Sequence, residues 1–363
     1  MPHIICVGAI YMDTILEVPE FPQENTKLRA KSMKRRRGGN TGNTLEVLSQ
    51  LLPDDNFNKD TLTYHTKLSL MSVLPDPNSP DTKAVILSLP DVSPQLFLYR
   101  TGQQSAASSY IVSPPNGTRT IVSYNPLDDM TFEEFKAAIV PLITADTMKE
   151  EVWIHFEGRI PEVVNACVAW LRSTYGYNQK VAISVELEKP DRWILEKSAR
   201  CADVVFYSKD WAENWFANAY SGPASTPYSG PAIPDAESFL KTQIAHTQPT
   251  AFLICTWGKG GAAAVRKFPR GRPIHDKTIG WRPHLDEPQY SVDAVDTVGA
   301  GDTFIAGILY ACVHQRTWGA AERLEFANEL AGRKVHQRGF EGLGAAMRKS
   351  AVWEMKLAES ALS

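Results

Sequence analysis

The amino-acid sequence predicts an α/β fold in which helices cover both faces of a doubly wound, mainly parallel sheet. Short apolar runs rich in β-branched residues recur along the chain. They are largely continuous rather than alternating, which is typical of strands buried on both faces. Amphipathic segments of helical period separate them, as in a three-layer α/β/α arrangement. The predicted core strands are Ile4–Val7, Val152–Phe156, Val181–Val185, Val204–Phe206 and Ala251–Cys255.

The predicted helices lie between these strands and make up most of the last third of the chain. Each has apolar residues on one face, so each can pack against the sheet. We expect one domain over residues 1–363, without internal repeats. The helices are Thr131–Leu142, Pro161–Arg172, Asp235–Ile244, Asp302–His314, Gly319–Arg338 and Gly344–Ala361, and a further helical run covers Leu45–Leu52.

Residues 11–37 and 96–124 depart from this pattern. They alternate apolar and polar side chains, as half-exposed antiparallel strands do, and they predict a small sheet inserted as a lid. Two other stretches predict surface loops. Residues 217–234 are dense in Ser, Gly and Pro, and residues 74–82 contain three prolines within a longer connection that reaches residue 94.

Composition excludes several classes of protein. A net charge of −3 gives no basic excess for binding nucleic acid. The five cysteines are widely scattered, so neither a zinc site nor a disulfide framework is predicted. No run approaches the roughly 18 apolar residues of a membrane span. The N-terminus lacks the features of a signal peptide, and we expect a cytoplasmic protein that does not contact membranes.

The segment from Asp293 to Phe304 carries the strongest chemical signal. An extended run leads into Gly299-Ala300-Gly301, then Asp302, then an apolar helical stretch. A glycine turn at a helix N-terminus can direct N–H groups at an anion. The adjacent Asp302 can accept the proton of an attacking hydroxyl. The alternative is structural: the glycines form a turn and Asp302 caps the helix.

A second glycine turn precedes the helical run Leu45–Leu52. Its residues are Gly38-Gly39-Asn40-Thr41-Gly42-Asn43, and Asn40 and Asn43 lie three apart, so both amides can point the same way. Amides hydrogen-bond sugar hydroxyls without charge. Alone, the same residues are also compatible with a turn and a helix cap.

These two motifs resemble the two signatures of the ribokinase-like (pfkB-type) carbohydrate kinases. The longer string Asp-Thr-x-Gly-Ala-Gly-Asp-x-Phe resembles the second signature, and Gly-Gly-Asn is similar to the first. Six other segments resemble the ketohexokinase (fructokinase) branch of that family, and the likeness extends from about Ile4 to Gly342. The six segments are Cys6–Asp13, Trp153–Arg159, Ser184–Pro190, Asp203–Asp210, Ala331–Lys334 and Gly339–Gly342.

The resemblance implies a ribokinase-like fold with a small β-sheet lid, an ATP and a sugar site, and a homodimer formed through the lid. It assigns Asp302 as the base and Gly299–Gly301 as the anion hole. The sugar ligands that it implies are Asp13, Gly39, Asn40, Asn43 and Asp302. The ATP contacts that it implies are Arg119, Gly258, Lys259, Gly260, Gly261, Gly299, Ala300, Gly301 and Asn328.

Three charged groups have two interpretations each. Glu186 and Glu188 are two apart on a predicted strand and can hold Mg²⁺ through water, or they form an ordinary acidic strand end. Glu157 and Arg159 belong to the edge of the site or pair with each other. The run 34–37 is better explained by a solvated strand end than by a polyanion site. Whether K⁺ is bound stays open.

The expected reaction is transfer of the γ-phosphoryl group of ATP to a primary hydroxyl of a small sugar, with the C1 hydroxyl of fructose as the leading candidate. The alternatives within the same chemistry are ribose, another ketose or a nucleoside. The alternative of another class is a catalytically silent sugar-binding or regulatory protein.

Overall fold

The computed structural model describes residues 2–52, 66–113, 120–143, 151–177, 180–219, 235–283 and 293–350. Two sheets hold most of the strands. The strands are β1 His3–Val7, β2 Tyr11–Glu17, β3 Ser32–Gly38, β4 Lys67–Met71, β5 Val73–Leu74, β6 Leu98–Tyr99, β7 Ser108–Ser113, β8 Thr120–Tyr124, β9 Val152–Phe156, β10 Val181–Leu187, β11 Val204–Tyr207, β12 Phe252–Thr256, β13 Ala262–Arg266 and β14 Ile274–Thr278.

Helices connect these strands and flank the larger sheet. They are α1 Asn40–Leu51, α2 Pro80–Ser88, α3 Phe132–Ile139, α4 Pro161–Tyr175, α5 Glu196–Ala199, α6 Lys209–Ala219, α7 Ala236–Gln243, α8 Ala300–His314, α9 Ala320–Val335 and α10 Leu343–Arg348.

The larger sheet has eight strands in the order β14-β13-β12-β11-β10-β9-β1-β4. The six strands from β12 to β4 are parallel to their neighbours, and only β13 and β14 run antiparallel. In the larger sheet β4 is added on one side of β1, and the next strand, β9, is added on the other side of β1, so the sheet grows outwards from β1 in both directions. The predicted mainly parallel, doubly wound sheet is therefore confirmed.

Two apolar cores enclose this sheet, one on each face. Side chains alternate between them along a strand: Ile4 belongs to the core beneath α1, α8 and α9, whereas Ile5 belongs to the core beneath α3, α4 and α7. The same alternation places Ile254 and Leu253 of β12 in opposite cores. This double burial explains the continuous apolar runs and confirms the α/β/α layering.

The smaller sheet has the order β3-β2-β7-β8 and lies apart from the larger one. Its central pair, β2 and β7, is parallel, and the outer pairs are antiparallel. Asp13 of β2 is paired with Arg36 of β3 and with Ser109 of β7, so the three side chains share one face. The strands lie within the predicted segments 11–37 and 96–124, except that β3 extends to Gly38. That this sheet acts as a lid stays a prediction.

Three expectations about connections need correction. Residues 80–88 of the predicted loop 74–94 form α2, which begins at Pro80 with the Ser79 hydroxyl capping Thr82 N–H. Strand β6 lies within the predicted lid segment but pairs with β5, in a separate two-stranded sheet. The predicted loop 217–234 begins inside α6, which ends at Ala219; residues 220–234 lie outside the described ones.

The C-terminal helix is shorter in the described part of the chain than expected, with α10 covering Leu343–Arg348 and residues 351–363 lying outside the description. None of the helices in the described ranges is long and apolar enough to cross a membrane.

Candidate active site

A cleft of about 1400 Å³ separates the larger sheet from the smaller one. One wall is formed by the carboxyl ends of β10, β11 and β12, and it includes Glu186 and Glu188. The other wall is the inner face of the small sheet, which includes Asp13 and Arg36. The N-terminal turn of α8, with Asp302, closes the inner end. Ligands of open α/β sheets bind at this carboxyl edge.

Asp302 lies in the first turn of α8, at the third helical position. Gly299 is the N-cap residue and has a φ of +79°, so the interpretation of Asp302 as the helix cap is wrong. A Cβ atom on Gly299 would collide with the Phe340 ring, whereas a Cβ atom on Gly301 would meet nothing within 4 Å. Gly301 therefore borders open space in the cleft, next to first-turn N–H groups without intrahelical acceptors.

A chain of buried polar groups holds the Asp302 carboxylate. Asn43 donates from Nδ2 to Asp302 Oδ2 at 2.7 Å and accepts at Oδ1 from Arg37 Nη1 at 2.9 Å. Arg37 is itself paired with Glu46. Burial raises the pKa of Asp302 well above its ordinary value of 3.8; the Asn43 bond opposes this shift, and the charges of nearby glutamates add to it. A carboxylate of raised pKa is a stronger base than an exposed one.

Lys334, at the end of α9, fixes the segment that leads into α8. Its fully buried Nζ atom contacts both the carbonyl oxygen and the Oδ2 atom of Asp296 at 3.0 Å. Asp296 Oδ1 in turn accepts from Val298 N–H at 3.0 Å. The backbone N–H groups of Val295 and Asp296 both donate to the Val335 carbonyl. The approach to the Gly299–Gly301 turn is thus held by α9.

Glu186 ends a second buried network, beneath the floor of the cleft. His155 Nε2 lies 2.8 Å from Glu186 Oε1, and His155 Nδ1 lies 2.9 Å from Ser184 Oγ. Trp153 Nε1 donates to the same Ser184 hydroxyl at 2.8 Å. Burial lowers the pKa of His155 to about 3, so the ring is neutral. Burial and neighbouring glutamates raise the pKa of Glu186 well above 4.5.

Glu157 and Arg159 pair with each other, and of the two Arg159 also lines the cleft. Glu157 Oε1 accepts from Arg159 Nε at 2.9 Å, and Glu157 Oε2 accepts from Ala9 N–H at 2.8 Å. The Arg159 guanidinium lies 5.0 Å from the centroid of the Tyr11 ring, and both side chains line the cleft.

The predicted sugar ligands meet at the inner end of the cleft. Asp13, Gly39, Asn40 and Asn43 all line it with Asp302. Asn40 donates to Glu188 at 3.3 Å. The Gly-Gly turn brings protein groups together: a Cβ atom on Gly38 would collide with the Asp13 carboxylate. One on Gly39, where φ is +99°, would collide with the Ala9 carbonyl.

The residues predicted to contact ATP are spread over several parts of the structure, whereas the predicted sugar ligands lie together. Gly258–Gly260 form a 3₁₀ turn within the hairpin that joins β12 and β13, and Lys259 lines the cleft. Ala300 N–H contacts the Thr297 carbonyl at 3.3 Å. Asn328 donates to the Ile279 carbonyl at 2.7 Å, so its amide orients a neighbouring loop. Arg119 lies outside the described residues.

A magnesium site can be compared with the side chains that are present. Within the described ranges, no group of three or more His, Cys, Asp or Glu side chains could hold a metal by itself. Mg²⁺ in nucleotide-binding proteins is commonly bound by one or two carboxylates, waters and phosphates. Glu186 and Glu188, which share the cleft wall, supply that kind of ligand.

Four contributors to the site were missed by sequence reasoning. Arg37 is buried and contacts Asn43, so the interpretation of residues 34–37 as a solvated strand end is wrong for Arg37; Arg36 is half-buried and lines the cleft. Lys334 and His155 act through partners 38 and 31 positions away. The likeness of Ala331–Lys334 to the family was the one available signal for Lys334.

The fold, the cleft and the Gly-Ala-Gly-Asp turn at a helix N-terminus define a phosphotransferase of the ribokinase-like type. A model of the family described as "pfkB family carbohydrate kinase" matches residues 1–342. The chain belongs to this family, and it is an ATP-dependent carbohydrate kinase.

Individual relatives agree with this assignment. Ketohexokinase from Mus musculus is 28% identical over 350 residues, which cover 94% of this chain and 98% of the mouse protein. Among solved structures, ribokinase from Arabidopsis thaliana complexed with ribose and ATP has a TM-score of 0.66 at 14% identity, covering 96% of this chain and 99% of that one. Ribokinase from Cryptococcus neoformans in complex with ADP has a TM-score of 0.63 at 14% identity, with the same coverage. The structural matches show the shared fold.

Proposed function

We propose that this protein transfers the γ-phosphoryl group of ATP to a primary hydroxyl of a small ketose, with the C1 hydroxyl of fructose as the leading candidate. The observation that carries the proposal is the buried Asp302 carboxylate, held by Asn43 beside an open glycine turn at the inner end of the cleft. The likeness to mouse ketohexokinase supports the choice of sugar.

Asp302 acts as the general base in this proposal. It accepts the proton of the acceptor hydroxyl while the hydroxyl oxygen attacks the γ-phosphorus and the bond to the ADP oxygen breaks. The N–H groups of the Gly299–Gly301 turn stabilise the charge that develops on the transferring group. Mg²⁺ bound through water by Glu186 supplies further charge neutralisation when it is present.

Polar groups at the inner end orient the acceptor. Asp13 accepts hydrogen bonds from sugar hydroxyls, and the amides of Asn40 and Asn43 donate and accept them. Asn43 has a double task, because it also bonds the base. Lys259, on the hairpin after β12, lines the cleft and is proposed to contact the nucleotide. Arg119 and Asn328 belong to the nucleotide site in the family pattern.

The small sheet is proposed to close over the acceptor as a lid within a single kinase domain and to exclude water. Its outer face exposes large apolar side chains, among them Met33, Val122 and Tyr124, which are 69%, 61% and 59% exposed. This surface supports a homodimer formed through the lid. The five unpaired cysteines fit a reducing compartment, the cytoplasm.

A coupled ADP-release assay with MgATP tests the proposal. The acceptors are fructose, tagatose, ribose and adenosine, with a reaction lacking acceptor as the control. We expect ADP release that depends on fructose. If ADP is released only with ribose or adenosine, the proposed acceptor changes and the proposed mechanism stands. If calorimetry detects fructose binding to a folded protein that releases no ADP with any acceptor, the catalytically silent alternative replaces the proposal.

A further inference from the structure

Four basic side chains line the outer end of the cleft. Lys31, Lys34 and Arg36 belong to β3 and the segment before it, and Arg338 follows α9 on the opposite wall. Glu17 lies among them, 3.8 Å from Lys34, with both side chains exposed. Asp13, the cross-strand neighbour of Arg36, and Asp296, which is paired with Lys334, also line this part of the cleft, so four cations face three carboxylates.

Arg36 differs from the two arginines beside it in sequence. Arg35 donates to Asp81 at 2.6 Å on the other face of the strand, and Arg37 is paired with Glu46. The half-buried Arg36 makes no hydrogen bond or ion pair with any residue in the described part of the chain. A guanidinium has five N–H donors, so Arg36 keeps donors available for an anionic ligand in the cleft.

The direction of β3 relates this group to the proposed chemistry. Arg37 contacts Asn43, which contacts Asp302, so the strand leads away from the base as its residue numbers fall. Arg36 is the cross-strand neighbour of Asp13, and Lys34 lies about 7 Å further out on the same face. A sugar with its reacting hydroxyl at Asp302 that is bound by Asp13 therefore also lies beside Arg36, and it extends towards Lys34.

The opposite wall carries charge of the same sign at the same level. The pKa of Glu17 is lowered by the Ser32 hydroxyl first and then by Lys34 and Arg338, so Arg338 lies within electrostatic range of the outer end of β2. The charge of Arg36 likewise acts on Asp13 and Asp296. Asp296 already has a partner in Lys334. Neither carboxylate forms an ion pair with Arg36.

We propose that the acceptor carries a negatively charged group at the end remote from its reacting hydroxyl, and that Arg36 binds this group with the help of Lys34 and Arg338. A phosphomonoester and a carboxylate share this chemistry, because both accept two parallel N–H donors of a guanidinium. The inference rests on the proposed function and narrows its substrate to an anionic ketose. The charged group takes no part in the transfer: the hydroxyl oxygen bonds to the γ-phosphorus, ADP leaves, and Asp302 takes the proton.

The test compares three ketoses that share one skeleton and differ at C6: fructose, fructuronate and fructose 6-phosphate. Their kcat/KM values are measured with saturating MgATP for the wild type, Arg36→Gln, Arg36→Lys and Arg270→Gln. Arg270 is an exposed arginine in the turn between β13 and β14, away from the cleft, so its substitution is the matched control for loss of charge.

We expect at least one anionic ketose to be used about tenfold or more better than fructose, because a charge-assisted hydrogen bond is among the stronger polar contacts. Arg36→Gln reduces this ratio by about tenfold, Arg36→Lys reduces it less, and Arg270→Gln leaves it unchanged. The two anionic ketoses show whether the site is built for a phosphate or a carboxylate. Circular dichroism and melting temperature establish that each variant is folded.

Two outcomes overturn the inference, and they are distinguishable. The first is turnover of fructose with no preference for either anionic ketose, or a preference that is unchanged in Arg36→Gln. It overturns the proposal of an anionic acceptor and leaves the proposed sugar kinase activity in place. The second is a folded wild type that turns over none of the three ketoses. It overturns both the proposed ketose substrate and the proposal of an anionic acceptor.

Discussion

The two ends of the cleft are built on different principles. At the inner end, Asp302, Asn43 and Arg37 are buried and joined by hydrogen bonds, and Lys334 fixes the approaching segment. At the outer end, Lys31, Lys34 and Arg338 are exposed, and Arg36 has no partner in the described ranges. The inner groups are preorganised for a reaction, whereas the outer groups leave hydrogen-bonding capacity for a ligand.

This difference predicts how substitutions divide between the two ends. Inner groups share partners, so removing one acts on catalysis, on stability or on both, according to the partner that it leaves behind. Outer groups are separately solvated, so removing one changes the ligand preference and leaves the fold alone.

The largest expected effect is on catalysis at the inner end. Asp302→Asn keeps the shape of the side chain and removes the base, and we expect kcat to fall by about 10²- to 10⁴-fold. Melting temperature should not fall, because the variant removes a buried carboxylate whose charge is disfavoured. Steady-state kinetics and thermal melts measure the two effects. Turnover within a few fold of wild type would assign the base elsewhere.

The two glycines of the turn separate stability from chemistry. Gly299→Ala should destabilise the fold by about 1–3 kcal/mol, because φ is +79° and the methyl group collides with Phe340. Gly301→Ala should leave stability unchanged or slightly higher, since its Cβ meets open space, and should lower kcat by narrowing the anion hole. Denaturant unfolding and kcat are measured for both. Equal stability losses would contradict the described turn.

Lys334→Met tests the connection between α9 and the turn. Breaking a buried ion pair by removing one partner costs about 3 kcal/mol, because Asp296 is left unpaired. Asp296→Asn in the Lys334→Met background should recover part of that loss. The free energy of unfolding of both single variants and the double variant forms the cycle. A purely additive result would show that the two groups are not coupled.

The smallest expected effect lies at the outer end. Lys34→Gln removes one member of an exposed pair with Glu17, and such pairs contribute little to stability. We expect no measurable change in melting temperature. A clear loss of stability would mean that the outer end is structural, and it would remove the distinction between the two ends.

The sequence was most informative where one local pattern has one physical cause. Continuous apolar runs occur because strands such as β1 and β12 face two cores, and these strands were predicted almost to the residue. The motifs around Asn43 and Asp302 were placed at one site by family resemblance, and the structure brings them within 2.7 Å.

The remaining features depend on contacts between distant segments. Nothing local to residues 34–37 tells which arginine faces the cleft, because that depends on the pairing of β3 with β2 and on where the small sheet lies. The buried contact of His155 with Glu186 requires adjacent parallel strands in one register. Ser79 and Pro80 are typical of a helix start and could have predicted α2. The segment was predicted to be a loop because it contains three prolines.

The pH dependence of kcat/KM for the acceptor tests the central claim, that Asp302 removes the proton of the acceptor hydroxyl. Because burial raises the pKa of Asp302 and the base must be ionised, kcat/KM of the wild type should rise with pH through that raised pKa and then level off. Glu186 also has a raised pKa, so the residual activity of Asp302→Asn is followed over the same range with labelled ATP. We predict that the rising limb is present in the wild type and absent in the variant. The same limb in both proteins would show that another group titrates and would contradict the assignment of Asp302 as the base.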